Sequence, residues 1–281
     1  MTTEAERIAR FRETLCLLVH GEPGAGKSWL GQTTPWPRLV LDAEGGSRAP
    51  KRVLPDGRVV RIKQITWDPH SQTVPTPGTC PGPALGQKTC DHDKDAAHDY
   101  AWETCRVVVL RFETVQRVYE YLNIGAHPFR SIVLDSLTEI QKRCKDSIRS
   151  GDEVLDQRMW GIMLDRMEGL VRAFRDLVFH PVKPIECVVI LALTKETNYK
   201  FKPAVQGALG ISLPGYVDTI GYLVPTVNAE GDDEWRMLIR PDDRYEAKDR
   251  THLLRAHYGP VIVNPDVEQM LVVLNTETEE D

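Results

Sequence analysis

The chain has 281 residues, of which 41% are hydrophobic and 27% are charged, a composition typical of a soluble globular protein and not of a disordered or fibrous one. The net charge of −6 excludes a global basic field that would draw the protein onto nucleic acid, so any such contact needs a local patch. The N-terminus has no apolar signal core, and the longest apolar run, Cys187 to Leu193, is too short to span a bilayer. We therefore expect a cytoplasmic protein.

Strands and helices alternate through most of the chain. Buried apolar strands are predicted at residues 15–19, 38–42, 131–135 and 187–193. Helical spacing of apolar residues predicts helices at 27–33, 113–124 and 153–179. Three later strands joined by short turns are predicted at 216–224, 234–240 and 244–249. This order predicts a single α/β domain over residues 1–281, with a mainly parallel sheet flanked by helices, an antiparallel C-terminal edge and an acidic tail at 276–281.

A phosphate-binding pattern, G-x-x-x-x-G-K-[ST], lies between the first predicted strand and the first predicted helix. Its residues, and the one that follows, are Gly21, Glu22, Pro23, Gly24, Ala25, Gly26, Lys27, Ser28 and Trp29. The glycines let successive backbone N–H groups point inward at a polyphosphate, at a helix N-terminus. Lys27 would supply charge to the outer phosphates of ATP, and the Ser28 hydroxyl would hold Mg²⁺. The alternative is a glycine-rich turn without a ligand.

Two carboxylates follow predicted strands and suit nucleotide chemistry. Asp135 ends one strand, and a phosphate-loop ATPase needs an acid at the end of a neighbouring strand to orient Mg²⁺. The alternative for Asp135 is a cap on the following helix. Glu44 lies in the segment D-A-E-G-G just past another strand, where a carboxylate can orient the water that attacks the γ-phosphate. The alternative for Glu44 is a polar strand end followed by a glycine turn.

A proline-rich stretch at residues 67–104 interrupts the alternation and is interpreted as an insertion, not a sheet element. It contains Cys80, Cys90, His92 and His98, with Cys105 at its end. The three cysteines and one histidine, His92 or alternatively His98, are candidate ligands of a tetrahedral zinc ion. No C-x-x-C pair is present, so an exposed loop with incidental thiols is the alternative.

Together these motifs resemble the RecA-type recombinase core, with its KaiC-like and DnaB-like relatives. The resemblance implies that Glu44, in L-D-A-E, is the catalytic glutamate and that Asp135, in V-L-D-S, is the Walker B aspartate. It places Thr194, after L-A-L, at the position that senses the γ-phosphate. It also implies that Lys248 and Arg250, a K-x-R pair, reach into a neighbouring subunit's ATP site. A solvated basic turn is the alternative for that pair.

A narrower resemblance is to a phage-encoded group of small RecA-like ATPases that act in single-strand annealing and recombination. The matching segments are G-E-P-G-x-G-K-S, D-x-E-G-G, D-S-L and A-K-D-R-T, and the likeness covers residues 14–270. It implies a phage protein that works in the host cytoplasm. The stretch at 67–104 lies outside this pattern.

In RecA-like folds, the loops after the third and fourth strands line the nucleic-acid channel. The second of these loops here offers Lys195, Tyr199, Lys200, Phe201 and Lys202. Basic groups track phosphates while aromatic rings stack on bases, which suits single strands without strong sequence preference. An ordinary solvated surface is the alternative.

The sequence thus predicts a Mg²⁺-dependent ATPase, stimulated by single-stranded DNA, that assembles into a ring or filament and assists annealing or recombination. A single-strand-binding protein is a further candidate partner. Three alternatives stay open: a helicase or helicase loader of the same fold, a small-molecule or nucleotide kinase, and a nucleotide-gated DNA-binding module without significant hydrolysis.

Overall fold

The structure, a computed structural model, describes residues 14–46, 51–53, 59–61, 64–70, 103–149 and 154–276. Its strands are β1 Leu15–Gly21, β2 Arg38–Asp42, β3 Lys51–Val53, β4 Val59–Arg61, β5 Gln64–Thr66, β6 Thr104–Val108, β7 Ser131–Asp135, β8 Cys187–Thr197, β9 Lys200–Pro203, β10 Thr219–Val227, β11 Asp233–Leu238, β12 Lys248–Asp249 and β13 Val261–Val263. Its helices are α1 Lys27–Gly31, α2 Phe112–Asn123, α3 Leu137–Ile148, α4 Gln157–Asp176, α5 Leu209–Tyr216, α6 Leu253–Tyr258 and α7 Val267–Thr276, with a 3-10 turn at Leu177–Phe179. Within these ranges, no helix combines the length and apolar character needed to cross a bilayer.

The main sheet has 11 strands and a parallel centre, in the order β10-β1-β8-β7-β2-β6-β5. Antiparallel strands complete it: β11 and β13 extend the β10 side, β12 also pairs with β10, and β9 folds back on β8. β3 and β4 form a separate antiparallel pair. The predicted fold class, an α/β sheet that is mainly parallel with an antiparallel C-terminal edge, is confirmed.

Helices cover both faces of the parallel strands, as a parallel sheet requires. Alternation along β1 shows the two faces, because Cys16 and Leu18 enter one core while Leu17 and Val19 enter the other. The first core is closed by side chains of α2 to α5, including Phe112, Ile140, Met167 and Leu213. The second core is closed by side chains of α1, α6 and α7, including Leu30, Leu254 and Met270.

The sheet order brings the chemically interesting strand ends to one edge. In register, Gly21 lies beside Leu193, Leu191 beside Asp135, and Asp135 beside Asp42. However, β8 lies between β1 and β7, and β7 lies between β8 and β2. The expectation that the acidic strands directly neighbour the phosphate-loop strand was therefore wrong, because β8, from much later in the chain, inserts between them.

The range predicted for the insertion, 67–104, includes residues at each end that pair with the main sheet. Trp67 continues the pairing of β5 with β6 by donating its backbone N–H to the Arg106 carbonyl at 2.8 Å. Its side chain is buried against Tyr121, with ring centroids 4.9 Å apart. Thr104 is the first residue of β6. Both ends of the stretch therefore belong to the sheet, and residues 71–102 lie outside the described residues.

The C-terminal third departs most from the prediction. The helix α5, which contains Pro214, was not predicted, and it overlaps the strand expected at 216–224 at Tyr216 alone. Residues 244–247 form no strand, and β12 is only two residues long. The elements α6, β13 and α7 were not predicted; they close the second core through side chains such as Leu254, Ile262 and Met270.

Candidate functional site

The phosphate loop joins β1 to α1 at the carboxyl edge of the sheet. Gly24 and Gly26 have φ angles of 81° and 88°, in the left-handed region that glycine adopts without strain. The Lys27 ammonium donates hydrogen bonds to the carbonyls of Gly21 and Glu22, at 2.9 and 2.8 Å. The first two residues of the loop thus hold the Lys27 ammonium through their carbonyl groups.

Three carboxylates share this site with Lys27. Lys27 is 7% exposed, and burial lowers the pKa of its ammonium. The charges of Glu44, Asp135 and Glu22 oppose that change, in this order of strength. The predicted phosphate-binding cation and the predicted catalytic and metal-binding acids are therefore brought together.

Asp135 and Ser28 form a pair suited to Mg²⁺. Asp135 ends β7, is 2% exposed and accepts a hydrogen bond from the Ser28 side chain. Burial raises the pKa of Asp135 to about 6; the Ser28 bond opposes this rise, and the charges of Glu44 and Asp42 add to it. Carboxylate and hydroxyl oxygens are preferred Mg²⁺ ligands, and a cation relieves the crowding of negative charge, so the pair fits the ion. When bound, Mg²⁺ supplies positive charge to the outer phosphates.

Glu44 is exposed and is oriented by Ser136. The Ser136 hydroxyl donates a hydrogen bond to Oε1 of Glu44. Ser136 is itself buried and fixed at the start of α3, where its side chain accepts a hydrogen bond from the backbone N–H of Glu139 at 3.4 Å. The buried Ser136 hydroxyl therefore holds the predicted catalytic carboxylate of Glu44 at the carboxyl edge of the sheet, where the phosphate loop lies.

Asp42 anchors the segment that carries Glu44. Its Oδ2 forms an ion pair with the Arg106 guanidinium at 2.6 Å, and its Oδ1 accepts a hydrogen bond from the backbone N–H of Gly45 at 2.6 Å. Sequence reasoning missed both Arg106 and Ser136. Arg106 lies on β6, which was not recognised as a strand, whereas Ser136 directly follows Asp135 and was a detectable signal.

Trp29 and Trp235 form a stacked pair beside the phosphate loop, with ring centroids 5.7 Å apart and planes inclined by 18°. Trp235 lies directly against Gly26, since a Cβ added at Gly26 would come within 2.6 Å of the indole Nε1. Asn264 holds the Trp235 backbone through hydrogen bonds of 3.0 and 2.6 Å. No local sequence pattern pointed to Trp235, because it reaches the loop from a distant strand.

Thr194 follows Leu193 at the phosphate edge and contacts a buried histidine. Its hydroxyl lies 3.1 Å from Nδ1 of His20 and 3.3 Å from the Lys202 carbonyl. His20 directly precedes the phosphate loop, is fully buried, and has Nε2 2.8 Å from the Glu246 carbonyl. Thr194 is thus at the predicted edge, while sequence reasoning missed His20, a polar residue in an apolar strand.

The predicted DNA-binding residues lie together on the β8–β9 hairpin, with unequal exposure. Tyr199, at the tip, is 88% exposed. The Lys195 ammonium donates to a backbone carbonyl, and Lys202 lies 3.8 Å from the Glu246 carboxylate. Lys200 is half-buried. Tyr199 is therefore the residue of this set that is most accessible for stacking.

Phe201, the other predicted stacking residue, is part of an aromatic cluster. Its ring stacks on Tyr245 at 5.4 Å, and Tyr245 stacks on Tyr222 at 4.4 Å. The Arg244 guanidinium lies 5.6 Å from the Phe201 ring centroid. The cluster binds the hairpin to the body of the protein, so Phe201 has a structural role in addition to any contact with bases.

Lys248 and Arg250 lie at the far end of β10 from the phosphate loop. The Lys248 ammonium donates to the carbonyls of Pro214 and Val217, at the C-terminal end of α5. Arg250 donates to the Gly215 carbonyl at 3.0 Å, and its side chain is 54% exposed. Lys248 is therefore used to cap a helix, whereas much of Arg250 stays accessible.

Of the zinc candidates, Cys105 alone lies in the described part of the chain. It is fully buried on β6, in register with Leu39 and Ile65. Burial raises the pKa of its thiol and so disfavours the thiolate that zinc binds, which counts against Cys105 as a ligand. The remaining candidates, outside the described residues, are Cys80, Cys90, His92 and His98. The described residues contain no cluster of three or more His, Cys, Asp or Glu side chains able to hold a metal ion.

The sequence of this chain matches the profile of a known protein family. The profile of the AAA domain family AAA_24 matches residues 13–251. No curated protein matches the chain.

Similar solved structures include two distant ones. One is a prototypical ATPase from the type III secretion system of pathogenic bacteria, with 12% identity, a TM-score of 0.41 and coverage of 79% of this chain and 55% of that one. The other is the flagellar accessory protein FlaH from Methanocaldococcus jannaschii, with 10% identity, a TM-score of 0.35 and coverage of 89% of both chains. This chain thus spans about half the length of the secretion ATPase. The family profile covers most of the chain and includes the phosphate loop, Glu44, Asp135 and Arg250, so the chain belongs to the AAA domain family.

Proposed function

We propose that this protein is a Mg²⁺-dependent ATPase that acts on single-stranded DNA in recombination or annealing. The observation that carries this proposal is the position of the β8–β9 hairpin. Because Leu193 is in register with Gly21, the rest of β8 extends past the start of the phosphate loop. A hairpin with lysines and the exposed ring of Tyr199 therefore stands beside the nucleotide site, which suits coupling of ATP to single-stranded DNA.

Within one subunit, the side chains divide the chemistry. Lys27 places a positive charge against the outer phosphates. Glu44, held by Ser136, orients and polarises the attacking water. Asp135 and Ser28 are the residues that would hold Mg²⁺.

A neighbouring subunit would supply Arg250, in a ring or filament. The backbone N–H of Arg250 bonds to Asp218, and that of Asp218 bonds to Cys16, so Arg250 is level with Cys16 on β1. Gly21 lies five residues further along β1, or ~16 Å at ~3.3 Å per residue. Arg250 is thus remote from its own phosphate loop and half-exposed, while Lys248 is engaged with α5. Arg250, rather than Lys248, is the candidate for contact with a partner's ATP.

The first test measures phosphate release with and without single-stranded DNA. We expect stimulation of the wild type by DNA, and no hydrolysis by Lys27→Ala. Tyr199→Ala should weaken DNA binding by roughly 5- to 150-fold, because one stacked base contributes about 1–3 kcal/mol. The matched control is Ile211→Ala, which removes an apolar side chain that is 84% exposed on α5, and it should behave as wild type.

If the wild type releases phosphate at the same rate with and without single-stranded DNA, the proposed role on DNA is wrong, but the proposed ATPase activity is supported. Strand-annealing and unwinding assays on the same preparations then separate an annealing protein from a helicase.

The second test concerns assembly. Arg250→Ala protein should bind ATP but hydrolyse it slowly, since such a group contributes roughly 10³–10⁵ in rate where it acts. Mixing it with Lys27→Ala protein should restore part of the activity, because the intact Arg250 of one subunit can face the intact loop of the other. Co-assembly without recovery would show that Arg250 does not act on a partner's ATP.

A further inference from the structure

His20 lies at a junction that the ATPase chemistry does not use. It is fully buried on β1, directly before the phosphate loop. Its Nδ1 lies 3.1 Å from the Thr194 hydroxyl and its Nε2 lies 2.8 Å from the Glu246 carbonyl. Its ring centroid is 5.2 Å from that of Tyr222. One imidazole thus joins β1, the start of the β8–β9 hairpin, β10 and the segment that leads to Lys248.

The hydrogen-bond partners determine which nitrogen of His20 has the proton. A carbonyl can only accept, so Nε2 donates to Glu246. Burial lowers the pKa of His20 to about 4, so the ring is neutral at physiological pH and Nδ1 is an acceptor. The Thr194 hydroxyl therefore donates to Nδ1 of His20.

Thr194 has a single hydroxyl proton and more than one acceptor for it. Besides His20, the Lys202 carbonyl lies 3.3 Å away. If the Thr194 hydroxyl donates to a phosphate, its single proton is no longer available to His20. Loss of its donor would leave Nδ1 of His20 buried and unpaired, which is unfavourable. A change of partner at Thr194 therefore cannot stay local.

Both contacts of His20 lead to the same surface. Glu246 donates its backbone N–H to the Phe201 carbonyl at 2.9 Å, and Phe201 donates to the Arg244 carbonyl at 2.7 Å. Segment 244–246 is therefore bonded to the hairpin strand β9, and it continues into β12 and Arg250.

We propose that His20 is a positioning residue that couples the phosphate loop to the β8–β9 hairpin through Thr194 and to segment 244–250 through Glu246. The inference rests on the proposed function in that a nucleotide must occupy the loop. It does not require that DNA binds. His20 would thereby link the nucleotide state to the candidate DNA-binding hairpin and to the residue offered to a neighbouring subunit.

Two substitutions separate the hydrogen bond of His20 to Thr194 from its hydrogen bond to Glu246. Asparagine places its amide near the position of Nδ1, so His20→Asn can still bond Thr194 but cannot reach Glu246. Glutamine places its amide near Nε2, so His20→Gln can still bond Glu246 but loses Thr194. His127→Gln is a control for replacing a buried histidine, because His127 precedes β7 and is not part of this junction.

The readout is hydrogen–deuterium exchange by the full chain, with Mg²⁺ and either ADP or a slowly hydrolysed ATP analogue. In the wild type, the two nucleotides should give different exchange in peptides covering 194–203 and 244–250. His20→Asn should lose the difference in 244–250 alone, and His20→Gln should lose it in 194–203 alone. His127→Gln should keep both differences.

Three results would overturn the proposal. The first is that the wild type binds both nucleotides without a difference in exchange between them in either segment. The second is that His20→Asn and His20→Gln both keep the wild-type differences, and the third is that both show the same uniform rise in exchange across the chain. The last result would assign His20 a purely structural role. Calorimetry on the same samples shows whether nucleotide binds, so failure of the nucleotide site is distinguished from failure of the coupling. A wild type that shows the coupling but no DNA-stimulated hydrolysis would sink the DNA role alone.

Discussion

Replacing Asp135 by asparagine is expected to stabilise the nucleotide-free protein at neutral pH. The Asp135 carboxyl is 2% exposed, and burial raises its pKa from 3.8 to about 6. A shift of about two pH units corresponds to about 3 kcal/mol of unfolding free energy. Because the amide of asparagine needs acceptors that the carboxylate did not, we expect a net gain of about 1–3 kcal/mol.

The sign of the pH dependence follows from the raised pKa. The folded protein holds the Asp135 proton more tightly than the unfolded chain does, so the wild type loses stability as the pH rises from about 4 to about 6. Asparagine does not titrate. The stability difference between Asp135→Asn and wild type should therefore rise by about 2–3 kcal/mol between pH 4 and pH 7 and change little above pH 7.

Urea unfolding of both proteins between pH 4 and pH 8 measures this difference. Comparing the two proteins at each pH cancels other groups that titrate in this range, including His20 and His127, whose pKa values burial lowers to about 4. Adding Mg²⁺ with ADP should stabilise the wild type more than the variant. A variant less stable than wild type at pH 8, or a difference that does not change with pH, would refute the reasoning.

Three further substitutions test other parts of the site. Glu44→Gln should bind ATP normally but lower turnover, measured by phosphate release, by ~10² or more; undiminished turnover would move the catalytic role to Glu22 or Glu139. Gly26→Ala should abolish nucleotide binding in calorimetry, because its φ is 88° and its methyl group would lie 2.6 Å from Trp235 Nε1, whereas Gly161→Ala, with open space around it, should bind as wild type. Cys105→Ser should destabilise the fold by about 1–3 kcal/mol in urea unfolding, since it buries a hydroxyl in the core, and should leave the zinc content unchanged; a drop in zinc by elemental analysis would restore Cys105 as a ligand.

Local sequence signals predicted the elements whose apolar pattern matches the side chains that the fold buries. β2 and β7 match their predicted ranges, 38–42 and 131–135, because each is a buried run of five residues. The helix α4 was predicted from the spacing of Met163, Met167 and Phe174, which are buried as expected. In these segments the local pattern and the tertiary environment agree.

Elements were missed where the local pattern conflicts with the tertiary environment. The helix α5 contains Pro214, which argues against a helix, yet Leu209 and Leu213 are buried and Lys248 bonds its C-terminal carbonyls. β5 and β6 were not predicted because they flank the proline-rich stretch at 67–104. β5 ends just before the stretch, and β6 begins at its last residue. Their pairing with each other and with β2 is a long-range property of the sheet.

In the candidate site, too, the sequence predicts the contiguous motif but not the contacts between distant segments. The phosphate loop is contiguous, so its sequence predicts its conformation. The contacts of Ser136 with Glu44 and of His20 with Thr194 depend on the order β1-β8-β7-β2, which no local pattern contains. Trp235 likewise reaches Gly26 only because β11 lies at the β10 side of the sheet.

The stacked indoles beside the phosphate loop give this protein a built-in optical reporter. Trp29 directly follows Ser28, and Trp235 touches Gly26, so two of the six tryptophans border the space that a nucleotide enters. Indole emission responds to the polarity and charge around the ring. Occupancy of the loop should therefore be readable from intrinsic fluorescence in unlabelled protein, and Trp235→Phe would identify which part of the signal comes from the ring that covers the glycine.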